Sequence, residues 1–189
     1  LTSMFMQGSW MHLIGNMVFL WIFGDNIEDS MGHKKFLFFY IICGVLAAFL
    51  QASIDPDSMV PMVGASGAIA GVLGAYLILH PKANVNVLFW IIIFITVIKV
   101  PAFIVLSIWI VSQFLGSAEG IAYFAHIGGF IAGALLIYFF RHPNIQLFQP
   151  GNSVSFESNS FSMDNFFNKR KDRDFLQEFI DTANKKDKN

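Results

Sequence analysis

Four polar side chains stand out against an apolar chain because their types fit one reaction. Ser66 lies in "GASG" (64–67), His126 in "AHIGG" (125–129), and His12 and Asn16 in "MHLIGN" (11–16). A serine hydroxyl is a weak nucleophile until a neighbouring imidazole takes its proton. Attack on a carbonyl then develops an oxyanion, which needs hydrogen-bond donors aimed at it. Ser66 and His126 fit nucleophile and general base. His12, Asn16 and the Ser66 backbone N–H fit the oxyanion donors. Taken singly, each has a plainer reading: a serine at a helix–helix contact, a histidine bonded to a neighbouring helix, a polar pair capping a helix or solvated at an interface. Chemistry is favoured only if the four meet.

Whether they meet depends on the elements that carry them. Of 189 residues, 55% are hydrophobic and 13% charged, and 22 are phenylalanine. A soluble domain carries about 25% charged residues, so the class is integral membrane protein. A net charge of −1 makes no case for nucleic-acid binding, and the single cysteine, Cys43, excludes an internal disulfide framework. The opening "LTSMFMQGSW" lacks the basic and apolar regions of a signal peptide. Five spans are expected, at 11–25, 35–53, 64–80, 100–116 and 120–140, giving an all-α polytopic helix bundle. Lys34 and Lys35, Lys82 and Arg141 fall in alternate loops, whereas "IDPDSMVP" (54–61) and "SAEG" (117–120) hold no basic residue. The basic loops and the C-terminus are therefore expected on the cytoplasmic side. That places Leu1 outside, and a further helix upstream, six in all, is the simplest repair.

The run from Val87 to Gly116 is about 45 Å as helix, too long for one crossing. A lysine at the bilayer centre costs about 2.5–3.5 kcal/mol on insertion scales. Lys99 is therefore placed at the inner interface, with Pro101 in the first turn of the next helix. Residues 85–98, rich in β-branched side chains, are then an interfacial or re-entrant piece. Were they to span instead, the basic tail would face outward.

Direction fixes depth. Ser66 lies at the outer start of span three and His126 about two turns into span five, which runs parallel to it, so both are within roughly 10 Å of the outer interface. His12 and Asn16, at i and i+4 near the outer end of span one, share a face and the same depth. Acids lie elsewhere: Asp55, Asp57 and Glu119 in outer loops, and Asp25, Glu28 and Asp29 at the inner end. A Ser–His dyad is expected rather than a triad. Gly64 and Gly67 flank Ser66; Gly67, Gly71 and Gly74 bare one face of span three, and Gly129 and Gly133 form a small-xxx-small pair in span five. Close backbone approach along these faces would bring Ser66 to His126. Residues 1–141 thus form the membrane domain. Residues 142–189 are expected to be a polar cytoplasmic tail, flexible apart from an amphipathic helix near 172–183.

"GASG" opening one span, "AHIGG" in a later one and H-x-x-x-N in an earlier one together resemble the rhomboid family of intramembrane serine proteases, over residues 1 to about 141. The resemblance implies a six-helix core, a Ser–His dyad, and cleavage of other proteins within or near their transmembrane segments, with small residues at the cut and helix-breaking residues nearby. It matches Ser66 to the nucleophile, His126 to the base, and His12 and Asn16 to the oxyanion side chains. Glu28 and Gly32 resemble its structural residues at the inner helix end. The family's first helix and a loop with a Trp-Arg pair would precede Leu1. Gln7 stands where some members have histidine. Ala70 replaces a tyrosine that packs on the histidine in some members, leaving less to orient His126.

The function expected is therefore an intramembrane serine protease in a bacterial plasma membrane. Its partners are transmembrane protein substrates and the lipid bilayer, and it has no metal, organic cofactor or nucleic acid. Two other readings remain open: a catalytically inactive rhomboid relative that binds or escorts membrane clients, and a transporter or channel. The outer position of the polar groups and the lack of a charged exit path weigh against the last.

Overall fold

The computed structural model describes residues 2–57, 63–91, 94–116 and 122–150, without the side chains of 88–96. A short 3-10 turn (Thr2–Phe5) leads to α1 (Trp10–Met31), α2 (His33–Ile54), α3 (Ser66–Leu79), two strands β1 (Asn84–Ile91) and β2 (Phe94–Pro101), α4 (Ala102–Leu115) and α5 (Tyr123–Phe140).

The caps explain the bounds. Ser9 stands in extended backbone before α1 and its hydroxyl accepts the His12 N–H at 3.1 Å, satisfying one first-turn donor. α1 runs past the expected end at 25, through Asp25, Glu28 and Asp29, because no breaker precedes Gly32 and its inner turns bury Phe23, Ile27, Ser30 and Met31. Gly32, at φ +85°, turns the chain directly into α2. α3 starts later than expected because Gly64, at φ +118°, is outside helical space.

α3 is the centre of the bundle. Every residue from Ala68 to Tyr76 is buried, and none of its side chains is among the large exposed apolar ones. It packs most closely on α5 through backbone. A Cβ at Gly129 would strike the Gly67 carbonyl oxygen, one at Gly133 the Gly71 carbonyl oxygen, and one at Gly74 the Phe130 carbonyl oxygen. The other helices surround this pair, with Phe23 edge-on to Tyr76 at 4.9 Å and Phe39 edge-on to Phe140 at 5.6 Å.

Their outward faces are apolar: Trp10, Ile14 and Trp21 on α1, Phe38 and Phe49 on α2, Ile108 and Phe114 on α4, Leu135 and Phe139 on α5 are all exposed. A core wrapped in exposed large apolar side chains suits lipid, not water. Among the described residues two helices, α2 and α5, are long and apolar enough to cross a membrane; α3 and α4 are apolar but have 14 residues each.

Among the described residues the all-α expectation fails at one place. Residues 84–101 form an antiparallel hairpin, paired from Asn84↔Pro101 to Ile91↔Phe94. "NVNV" (84–87) alternates with period two, and the β-branched residues that follow favour strand over helix. The hairpin is fastened at its open end, where the Ala102 N–H donates to the Ala83 carbonyl at 2.7 Å and the Phe103 N–H to the Pro81 carbonyl at 2.9 Å. Lys99 is exposed on it, and Pro101 caps α4 rather than entering its first turn.

Packing continues beyond the change of composition at 142. The His142 N–H donates to the Ser30 carbonyl at 2.8 Å, and the N–H groups of Phe148 and Gln149 donate to the carbonyls of Ile78 and Leu79 at 2.9 and 2.8 Å. Ile145 and Leu147 lie against the core, and the Arg141 guanidinium donates to the Ile145 carbonyl. The compact unit runs from Leu1 to Asn152. The amphipathic segment expected at 172–183 and most of the two loops without basic residues lie outside the described residues.

Candidate active site

The N-termini of α1, α3 and α5 and the C-terminus of α4 come to one end of the bundle. Ser66 is the first residue of α3, His126 lies in the first turns of α5, His12 in the first turn of α1, and Gln113 near the end of α4. Along the glycine seam of α3 and α5, the Ser66 hydroxyl donates to His126 Nε2 at 2.8 Å. The other ring nitrogen, Nδ1–H, donates to Gln113 Oε1 at 2.7 Å. Together these bonds put the ring proton on Nδ1 and leave Nε2 as the acceptor.

His12 and Asn16, on α1, lie against Gly64, two residues before Ser66. The Gly8 N–H donates to His12 Nδ1 at 3.3 Å, so the His12 proton is on Nε2. That side of the ring lies over Gly64: a Cβ there would come within 2.6 Å of His12 Cε1 and 2.9 Å of His12 Nε2, and 3.7 Å from Asn16 Nδ2. Gly64 is thus required twice, for its positive φ and for the space under the His12 ring. The buried Asn16 amide donates to Gln7 Oε1 at 2.8 Å and keeps a second N–H. The Gly64 N–H donates to the Ser3 carbonyl at 2.8 Å, tying the loop before Ser66 to the first turn of the chain. As the first helical residue, Ser66 has a backbone N–H without an intrahelical acceptor, at the positive end of the α3 dipole.

All four sequence-selected residues, and Gly64, Gly67 and Gly129 around them, are therefore brought to one place. Two further residues, Gln113 and Trp109, were not anticipated, and Gln7, noted only as standing where some members have histidine, gains a contact. Gln113 occupies the position behind His126 that an acid holds in a triad. Its orientation is set by its own Nε2, which donates to the Trp109 carbonyl at 3.1 Å and to Ser112 Oγ at 3.0 Å. Trp109 lies against the imidazole with ring centres 5.9 Å apart and against Phe130 at 6.2 Å. Although residue 70 is a buried alanine, His126 is thus held from α4 instead. Gln7 tethers Asn16. A glutamine or tryptophan on an apolar helix carries no motif; the one available signal was the i, i+4 spacing of Trp109 and Gln113, which puts both on one face. Among the described residues no group of acids, histidines and cysteine is arranged to hold a metal.

The Rhomboid domain family profile matches residues 1–143. Rhomboid-like protease 3 of Toxoplasma gondii is 26% identical over 140 residues, covering 74% of this chain and 50% of that protein. The mitochondrial presenilin-associated rhomboid-like protein A of Danio rerio is 30% identical over 140 residues, 71% of this chain and 35% of the relative. RHOMBOID-like protein 4 of Arabidopsis thaliana is 33% identical over 141 residues, 72% and 32%. The chain spans between a third and a half of the length of these relatives.

Proposed function

Because the chain belongs to the rhomboid family of integral membrane proteins, we propose that it is an intramembrane serine protease, acting on transmembrane proteins through Ser66 and His126. The observation that carries this reading is the 2.8 Å bond from the Ser66 hydroxyl to an imidazole nitrogen otherwise without a proton. One relative, from Toxoplasma gondii, bears the name protease. The relatives named are eukaryotic and one is mitochondrial, so they lend no support to a bacterial plasma membrane. The proposal extends to five crossings, with the site end outward.

In the proposed reaction Ser66 Oγ attacks the scissile carbonyl carbon as its proton passes to His126 Nε2. The carbonyl electrons move to oxygen, and the oxyanion is met by His12 Nε2–H, the second Asn16 N–H and the Ser66 backbone N–H. When the C–N bond breaks, His126 returns the proton to the leaving amine, leaving the acyl group on Ser66. A water entering from the outer end gives a proton to His126 and its oxygen to the acyl carbon; the C–Oγ bond breaks and Ser66 regains its proton. The substrate must be unwound there, since a helix ties up its own carbonyls.

Labelling with a fluorophosphonate probe in detergent or liposomes tests the reading. The wild-type chain is expected to label, and Ser66→Ala and His126→Ala to lose labelling by several orders of magnitude. A folded wild-type protein that does not label, yet still captures membrane clients, would move the function to a non-catalytic binding relative.

A further inference from the structure

We propose that Gln113 is a positioning residue for the reaction. Its side-chain carbonyl holds His126 in the one tautomer that can accept the Ser66 proton, and steadies the imidazolium formed when it does. The proposal rests on the reading of Ser66 and His126 as nucleophile and base.

The geometry is specific to the amide. A neutral imidazole has one N–H and one lone pair, and only the ring with Nδ1–H presents a lone pair to Ser66 at Nε2. Gln113 Oε1, 2.7 Å from Nδ1, is an acceptor and rewards that tautomer alone. The amide would reward the opposite tautomer if it turned over, presenting N–H to Nδ1. It is kept from turning by the two bonds of its own Nε2, to the Trp109 carbonyl and Ser112 Oγ, so α4 backbone geometry is transmitted to the imidazole. When Nε2 takes the serine proton, positive charge spreads to Nδ1–H, and a carbonyl dipole already aimed at that hydrogen needs no reorganisation. The third position of a triad is thus filled by a neutral acceptor. This avoids a carboxylate among groups that lie next to lipid, where an unpaired charge is costly. The same amide explains how His126 is fixed although Ala70 offers no ring to pack on it.

The surroundings leave few competing influences. α3 presents Ser66 to His126, and α4 presents Gln113 and Trp109. α2 presents Gln51, whose Oε1 accepts the Ala125 N–H at 3.2 Å. α1 presents His12, and α5, the helix of His126, also carries Tyr123.

The test compares Gln113→Leu and Gln113→Glu with the wild-type chain. Readouts are the rate of fluorophosphonate labelling and the kcat and KM for a fluorogenic transmembrane peptide. Leucine fills the space without an acceptor, and should slow labelling and kcat about 10- to 100-fold with KM unchanged, the low end of what a general base contributes. Glutamate restores the acceptor and should recover most of the rate. Because a carboxylate beside the ring favours its protonated form, the acidic limb of the rate profile should also move to higher pH. A residue that merely fills space would give the reverse order, leucine tolerated and the half-buried charge damaging. Leucine labelling at the wild-type rate would overturn the proposal and leave the protease reading standing. A wild-type chain that does not label would sink the protease reading instead. The tautomer is then read directly by 15N NMR of the histidines: His126 should carry its proton on Nδ1 in the wild-type chain and lose that single tautomer in Gln113→Leu. An unchanged tautomer in the variant would overturn the proposal whatever the activity.

Discussion

Asn16 is 7% exposed and its amide is only half committed: one N–H goes to Gln7, while Nδ2 lies 3.7 Å from where a Cβ on Gly64 would stand. A buried donor without a fixed acceptor is costly in a ground state, but it is what a transient oxyanion requires. If Asn16 serves the transition state, Asn16→Ala should lower kcat about 100-fold while KM stays within a few-fold, since loss of one oxyanion donor costs about 10²–10³. Gln7→Leu, which removes only the tether, should cost less. Equal losses in kcat and binding for Asn16→Ala would mean that it shapes the substrate groove instead. Ser66, His126 and His12 were legible as candidates because serine and histidine are conspicuous in an apolar chain. Of those that hold them, Gln113 and Trp109 were not, and Gln7 was noted without its bond to Asn16. Their role depends on how α4 and the first turn are rotated about their axes, which follows from packing rather than from residue type.

Between elements, backbone contact does the positioning. In lipid, apolar area gives no drive for helices to associate, so van der Waals fit along a bare face must supply it. Gly133 lies two turns below His126, well away from the reacting groups, and any Cβ there meets the Gly71 carbonyl and not a movable side chain. Gly133→Ala should therefore wedge α5 off α3 and destabilise the bundle by about 1–3 kcal/mol, the usual range for overpacking. It should also reduce labelling of Ser66, because the 2.8 Å bond spans the same seam. Gly15, with open space around its missing Cβ, is the control: Gly15→Ala should be neutral or stabilising through helix propensity alone. Equilibrium unfolding in detergent measures both, and equal stabilities would remove the seam from the account. The seam was visible in the sequence as a four-residue spacing of glycines. The hairpin was visible only in part. "NVNV" shows a period of two, but the apolar run after it fits strand or helix equally, and what argued against a continuous crossing was the length of the run together with Lys99 and Pro101.

At the scale of the whole molecule, α1, α3 and α5 begin at the site end and α4 finishes there, so it is the start of α3, with Ser66 as its first residue, that favours negative charge where the oxyanion would form. The same alignment sets the ends apart. Gln113 near the C-terminus of α4 is about 16 Å along its axis from Ala102, where the hairpin and Lys99 begin. Thr2, exposed in the turn whose Ser3 carbonyl accepts the Gly64 N–H, marks the opposite, site end. The lone cysteine, Cys43, is fully buried and should give little background reaction, so single cysteines can report orientation. With a membrane-impermeant maleimide on sealed vesicles of known sidedness, Thr2→Cys should react from the outer face. Lys99→Cys should react only from the inner one, as the distribution of basic loops requires. Reaction of both from one face would mean that the hairpin end and the site end share a side. Water for the second half of the reaction would then have to enter by another route, and the depth reckoning that joins Ser66 to His126 would lose its premise even with their bond intact.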